Sequence, residues 1–230
     1  MHLNLIVASI LDNPIWHALE TGNVPFAQGS GHAKYFKRDV GLFAGLKSNS
    51  KSDLIMLYSL LPEKSQVILF TPGDIVIPDP WRTILKKALL QMIYLDKPLP
   101  SIADKAIKPL QEKDIPAMLV LTAMTNPGPF FTRTIDFGNY EGIFDGDQLV
   151  AMAGQRLQPD PYKEISAVCT HPNHTGKGYA AKLIQSQIIR ITAASGVPFL
   201  HVYPENPACK LYNKLGFQMR KEMVVYRIEK

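Results

Sequence analysis

The chain of 230 residues predicts an α+β protein in two parts. Three observations carry that prediction. A β-branched run, Ile165 to Thr170, leads into a glycine-studded turn and then an amphipathic helical pattern that ends near Gly196. Upstream, two apolar runs flank Asp145-Gly146-Asp147, an Asp-Gly step that favours a tight hairpin. Between the two parts, Asp96-Lys97-Pro98-Leu99-Pro100 carries two closely spaced prolines, which place a boundary between residues 1–100 and 101–230.

In the first part, Leu54–Leu61 and Gln66–Phe70 read as a strand pair joined by Pro62-Glu63-Lys64-Ser65, and Trp81–Leu95 reads as a helix. The basic stretch Gly29–Arg38 reads as a solvated loop. These elements make a smaller α/β domain of unknown role. In the second part, a short strand at Lys105–Leu110 precedes a helix at Asp114–Met124, opened by an acidic residue, and a turn at Asn126-Pro127-Gly128-Pro129. Tyr140–Phe144 and Gln148–Arg156 form the hairpin, and Tyr162–Thr170 adds a third strand. The helix Tyr179–Ser195 sets Ala180, Leu183, Ile184, Ile188 and Ile191 on one face, with Gly196 as its left-handed stop. A strand at Phe199–Tyr203 follows, then a helix capped by Asn206 with Pro207 in its first turn, closing at Gly216. Phe217–Ile228 supplies one or two final strands.

Composition narrows the function classes. Hydrophobic residues at 46% and charged residues at 20% describe a globular protein rather than a disordered or fibrous one. The net charge of +5 is spread without an arginine-rich run, so an anionic small molecule fits better than nucleic acid. Two cysteines, Cys169 and Cys209, argue against a disulfide scaffold and for a reducing compartment, the cytoplasm. Met1–Leu11 is apolar without a positive flank or cleavage site, so it is expected to be a buried strand or helix rather than a signal peptide. No run is long and apolar enough to suggest a membrane span.

The turn His171-Pro172-Asn173-His174-Thr175-Gly176-Lys177-Gly178-Tyr179-Ala180 suits a pyrophosphate. Gly176 and Gly178 remove side chains that would hold a phosphate off the backbone, and the following helix presents unpaired amides and the positive end of its dipole. Neither the P-loop nor the dinucleotide-binding glycine pattern is present. Cys169, His171 and His174 have a metal-like spacing but no fourth ligand, so no metal is expected.

Thr175-Gly176-Lys177-Gly178-Tyr179-Ala180 resembles the (Gln/Arg)-x-x-Gly-x-(Gly/Ala) pyrophosphate loop of the GNAT superfamily of acyl-CoA N-acyltransferases. Asn206-Pro207-Ala208-Cys209-Lys210-Leu211-Tyr212-Asn213-Lys214-Leu215-Gly216-Phe217 resembles its more specific Asn-x-x-Ala-x-x-Leu-Tyr-x-x-x-Gly-Phe signature. The resemblance covers residues 101–230. One departure is Thr175, which stands where the family has Gln or Arg.

The resemblance implies the GNAT fold, a mixed and mostly antiparallel sheet flanked by helices, with residues 1–100 as a possible degenerate GNAT-like half of the kind found in glycine-N-acyltransferase-like relatives. It implies acetyl-CoA or another acyl-CoA as co-substrate. Val168, Cys169, Thr170, Thr175, Gly176, Lys177, Gly178, Tyr179, Ala180 and Asn206 match cofactor-binding positions. Glu164, four residues before Val168, matches a general base acting on the amine through water; the alternative is a strand-edge carboxylate in solvent. Strand alternation puts Ile165, Ala167 and Cys169 on one face and Glu164, Ser166, Val168 and Thr170 on the other. Tyr212 matches the residue that protonates the departing thiolate, or else is a core tyrosine. Phe130, Phe131 and Arg133 lie where the acceptor loop occurs in the family, lining a pocket or packing the loop. The expected function is N-acyl transfer to a primary amine on a small molecule or polypeptide, with no nucleic-acid or membrane partner. A non-catalytic acyl-CoA sensor is the alternative. The acceptor and the oligomeric state are left open.

Overall fold

The computed structural model describes residues 10–96 and 104–230. The expected N-terminal element at Met1–Leu11 falls almost wholly outside them, as do the boundary prolines Pro98 and Pro100. Among the described residues no helix is long and apolar enough to cross a membrane.

The first part opens with α1 (Pro14–Glu20) and a three-stranded antiparallel sheet, β1 (Ala27–Ser30), β2 (Ala33–Phe36) and β3 (Ala44–Leu46). Then come α2 (Lys51–Leu60), β4 (Gln66–Thr71) and β5 (Arg82–Tyr94). The second part continues with β6 (Ile107–Pro109), α3 (Ile115–Thr125), β7 (Glu141–Asp145), β8 (Gln148–Gln155), β9 (Tyr162–Thr170), α4 (Tyr179–Ala193), β10 (Val197–Val202), α5 (Ala208–Lys214) and β11 (Phe217–Glu229).

The large sheet has the order β4-β11-β5-β10-β9-β8-β7-β6. Only β9 and β10 run parallel; every other pair is antiparallel. The expected mixed, mostly antiparallel sheet flanked by helices is therefore present. Asp145 pairs with Gln148, so Gly146-Asp147 is the two-residue hairpin loop, with Gly146 at φ 58° as the tight turn demands.

Three expectations in the first part are corrected. Leu54–Leu61 lies largely in helix α2: the Ser50 hydroxyl accepts from the Asp53 amide at 3.2 Å, and Leu54, Leu57 and Leu61 go into the core. Trp81–Leu95 is strand β5, because hydrogen bonding to β10 on one side and β11 on the other outweighs the helical preference of its leucines and lysines. Gly29–Arg38 is mostly the β1–β2 hairpin, turning at Gly31-His32.

The division at residue 100 is corrected as well. β4 and β5 belong to the same sheet as β10 and β11, and one core cluster runs from Leu11, Ile15 and Phe36 to Met118, Tyr162 and Phe199. That core fills the face covered by α1, the small sheet and α3. On the other face α4 and α5 bury Ile184, Ile188, Ile191 and Tyr212 against Met92, Ile165, Leu200 and Phe217.

Candidate active site

The site begins where two neighbouring strands separate. β9 and β10 pair only through Val197–Phe199 and Tyr162–Glu164, after which β10 follows β5 and β9 follows β8. The edge of β9 beyond Glu164 is left without a strand partner on the β10 side. A cavity of about 170 Å³ opens there, lined among others by Ser166, Val168, Tyr203, Asn206 and Tyr212.

A bulge in β9 shapes this opening. Pairing with β8 shifts register between Met152 and Gly154, and Ala167 sits at φ 52°. The expected alternation therefore fails at this point. Ile165 and Val168 face α4, whereas Ala167 and Cys169 face the opposite core with Tyr162. Gly154 opposes the bulge because a Cβ there would lie 2.4 Å from the Tyr140 ring.

Glu164 requires a correction. Its side chain is 0% exposed, and its carboxylate accepts from Arg156 Nε at 2.8 Å and Nη2 at 2.6 Å, from the Leu157 amide at 3.2 Å and from His201 Nδ1 at 2.7 Å. A carboxylate only accepts, so His201 carries its proton on Nδ1, and its Nε2 accepts from Gln91 Nε2 at 3.0 Å. Burial alone would raise the Glu164 carboxyl, but the Arg156 guanidinium overrides it and, with His201, holds the pKa at about 2. Glu164 is therefore not the strand-edge carboxylate in solvent; it is a buried, ion-paired group behind Arg156 and His201, which line the cavity while it does not. Alternation groups Glu164 with Val168, whereas its partners Arg156 and His201 lie beside Phe43 and Phe70 on the face opposite α4, and no spacing rule reveals that Arg156, eight residues earlier, neutralises it there.

This cluster makes the fold acid-sensitive. Burial pushes His201 below 6.5, so the unfolded chain takes up its proton first and stability falls as pH drops below about 6.5. Glu164, depressed from 4.5 to about 2, contributes stability that is complete above pH 4.5 and lost as pH falls through about 2. The urea midpoint should therefore decline from pH 7 to 4 and more steeply below; a flat profile from pH 7 to 3 would refute this account.

The other expected residues fall into three groups. Val168, Asn206 and Tyr212 meet in the cavity. Asn206 Oδ1 also accepts from the Ala208 amide, the first of α5, at 2.9 Å, while the N-cap position expected for Asn206 is taken by Pro207. Tyr212 is 9% exposed, its phenol pushed up to about 12 by burial. Cys169 turns into the core, its thiol pushed up to about 11 by burial, and Thr170 ends β9 with its hydroxyl buried and unpartnered.

The second group is the turn before α4, which lies at the surface outside the cavity. Thr175 donates to the Pro172 carbonyl at 3.0 Å, and Lys177 Nζ stands 3.2 Å from His174 Nδ1. Gly176 and Gly178 both have φ 77°, and an added Cβ at either would meet nothing within 4 Å. The space beside this backbone is open, with Tyr179 and Ala180 in the first turn of α4, so the turn fits a diphosphate.

In the third group, Phe130 packs edge-on against Tyr140 with ring centroids 5.7 Å apart, and with Phe131 it lines a second cavity. Arg133 does not join them. It is ion-paired to Glu112 at 2.9 Å and Asp136 at 2.8 Å and lines neither cavity, which corrects its expected acceptor role. Among the described residues no cluster of three or more His, Cys, Asp or Glu is placed to hold a metal.

Comparison with known proteins agrees with this geometry. The FR47-like protein family model matches residues 140–226. A crystal structure from Novosphingobium aromaticivorans DSM 12444, assigned as an acetyltransferase of the GNAT family, is 35% identical, with 96% of this chain and 98% of that chain covered at a TM-score of 0.89. This chain belongs to the GNAT family. A GCN5-related N-acetyltransferase from Kribbella flavida, 14% identical, shares the fold at a TM-score of 0.60 over 94% of this chain and 95% of that one. No curated protein matches the chain.

Proposed function

We propose that the chain is an N-acyltransferase, an acetyltransferase in the first instance, that passes the acyl group of acyl-CoA directly to a primary amine. The observation that carries this reading is the parting of β9 and β10, which brings Val168, Asn206 and Tyr212 to one cavity. Acyl-CoA supplies an activated thioester; the chain supplies position and electrostatics.

The backbone at Gly176–Gly178 and the first amides of α4 hold the diphosphate, with Lys177 adding charge. The backbone of Val168, Cys169 and Thr170, on the unpaired edge of β9, lies along the thioester arm. An amide at Val168 faces the carbonyl and stabilises the negative charge that develops there. Tyr212, protonated throughout the neutral range, donates a hydrogen bond to the departing sulfur. Glu164 acts as a positioning residue: with Arg156 and His201 it stiffens the cavity wall. The amine then loses its proton to water in the cavity, and Phe130 and Phe131 wall the acceptor side.

The engagement of Glu164 is also what a non-catalytic acyl-CoA sensor would show, so turnover is the deciding measurement. Acetyl-CoA should release its thiol with at least one member of a broad amine panel. Tyr212→Phe should lower kcat about 3- to 10-fold, with the KM for acetyl-CoA nearly unchanged, because a thiolate is already a fair leaving group. Tight CoA binding with no release on any amine would establish the sensor instead.

A further inference from the structure

We infer that the amine acceptor carries an oxyanion, a carboxylate or phosphoryl group, bound by Arg38 and Arg227 in the second cavity. The inference rests on the acyl-transfer reading and extends it to the acceptor's chemistry.

The second cavity, about 710 Å³, shares Pro127–Pro129, Tyr203 and Asn206 with the first and so opens onto the same reacting region. Its volume suits a small-molecule ligand. It lies on the α3 side of the sheet, where Ile68 and Val225 belong to the core under α3, whereas α4 and the glycine turn lie on the other side. Donor and acceptor thus approach from opposite faces and meet at the parting strands.

The lining away from the shared wall holds Arg38, Lys64 and Arg227 and no acidic residue. Gln66 fixes both guanidiniums without neutralising either: its carbonyl accepts from Arg38 Nη2 at 2.6 Å and its side-chain oxygen from Arg227 Nε at 2.9 Å and Nη2 at 2.5 Å. Glu229, whose carboxyl feels Arg227, is engaged by Arg82 and by Gln66 Nε2 and does not line the cavity. Arg38 Nη1 is buried with no hydrogen-bond partner, a donor that the protein leaves unsatisfied. Two guanidiniums positioned but not neutralised, in a concave wall without a carboxylate, favour a planar or tetrahedral oxyanion and exclude a second cation.

The test uses matched amines: amino acids against their carboxamides, and phosphoethanolamine against ethanolamine. With acetyl-CoA as donor, the anionic member of at least one pair should exceed its neutral partner in kcat/KM by about tenfold or more, the scale of a charge-assisted contact. Arg227→Gln and the exposed Lys64→Gln should each raise the KM for that acceptor and leave the KM for acetyl-CoA unchanged, with Lys64→Gln as the change safest for folding. Glutarate, which has no amine, should compete with the acceptor and not with acetyl-CoA. Equal turnover within every pair, or no inhibition by glutarate, overturns the inference while acyl transfer stands. No thiol release from any amine overturns both.

Discussion

Glu164→Gln lowers the folding stability by about 3–5 kcal/mol, because removing one partner of a buried ion pair leaves the other charge uncompensated. The partner is Arg156, whose side chain is 15% exposed and whose guanidinium stacks 4.7 Å from the Phe43 ring centroid. Glutamine keeps the shape and can still accept a hydrogen bond, so the loss reports charge rather than packing. Urea unfolding at pH 7 measures it directly; a change below about 1 kcal/mol would place the pair in the weak class of exposed bridges and sink the account. The double replacement of Arg156 and Glu164 by methionine should recover part of the loss, since two apolar residues leave no orphaned charge. With Glu164 in the positioning role proposed for it, the surviving folded fraction of Glu164→Gln should keep a pH–rate profile of wild-type shape, set by the acceptor amine.

The second large effect is expected at the turn. Gly178→Val should raise the KM for acetyl-CoA about 10- to 100-fold, because a β-branched residue is strained at φ 77° and its side chain enters the open space beside the first amides of α4. Gly176→Val should act in the same direction. Titration calorimetry with CoA separates lost binding from lost chemistry. An unchanged affinity in both variants would mean that the turn does not contact the diphosphate. The KM for the amine should stay near the wild-type value, since the acceptor cavity lies on the other side of the sheet.

Much of the second part was legible in the sequence because its signals are local. The Asp145-Gly146 step, the amphipathic spacing of Leu183, Ile184, Ile188 and Ile191, and the glycines before Tyr179 each act over a few residues, and each element appears where the pattern puts it. What escaped the sequence is non-local. β5 carries Leu85, Lys86, Lys87, Leu89 and Leu90, good helix formers, and is a strand only because partners more than a hundred residues away pair with both its edges. Glu164 matched a motif, yet its chemistry is set by Arg156 and His201, which no spacing rule connects to it. Arg38 and Arg227 are far apart in the chain and meet only through Gln66. The bulge at Ala167 inverted the faces assigned to Ala167 and Cys169, since an alternation rule does not foresee an extra residue in a strand.

The position of β5 between β10 and β11 also governs how the molecule assembles. Its two neighbours lie more than a hundred residues later in the chain, so a strand finished before residue 95 waits for both of them before either edge is satisfied. A piece beginning at residue 101 would expose both β10 and β11 as raw edges, open to pairing with another copy. Because β5 is held between β10 and β11, the cleft where β9 and β10 part is built from both parts of the chain.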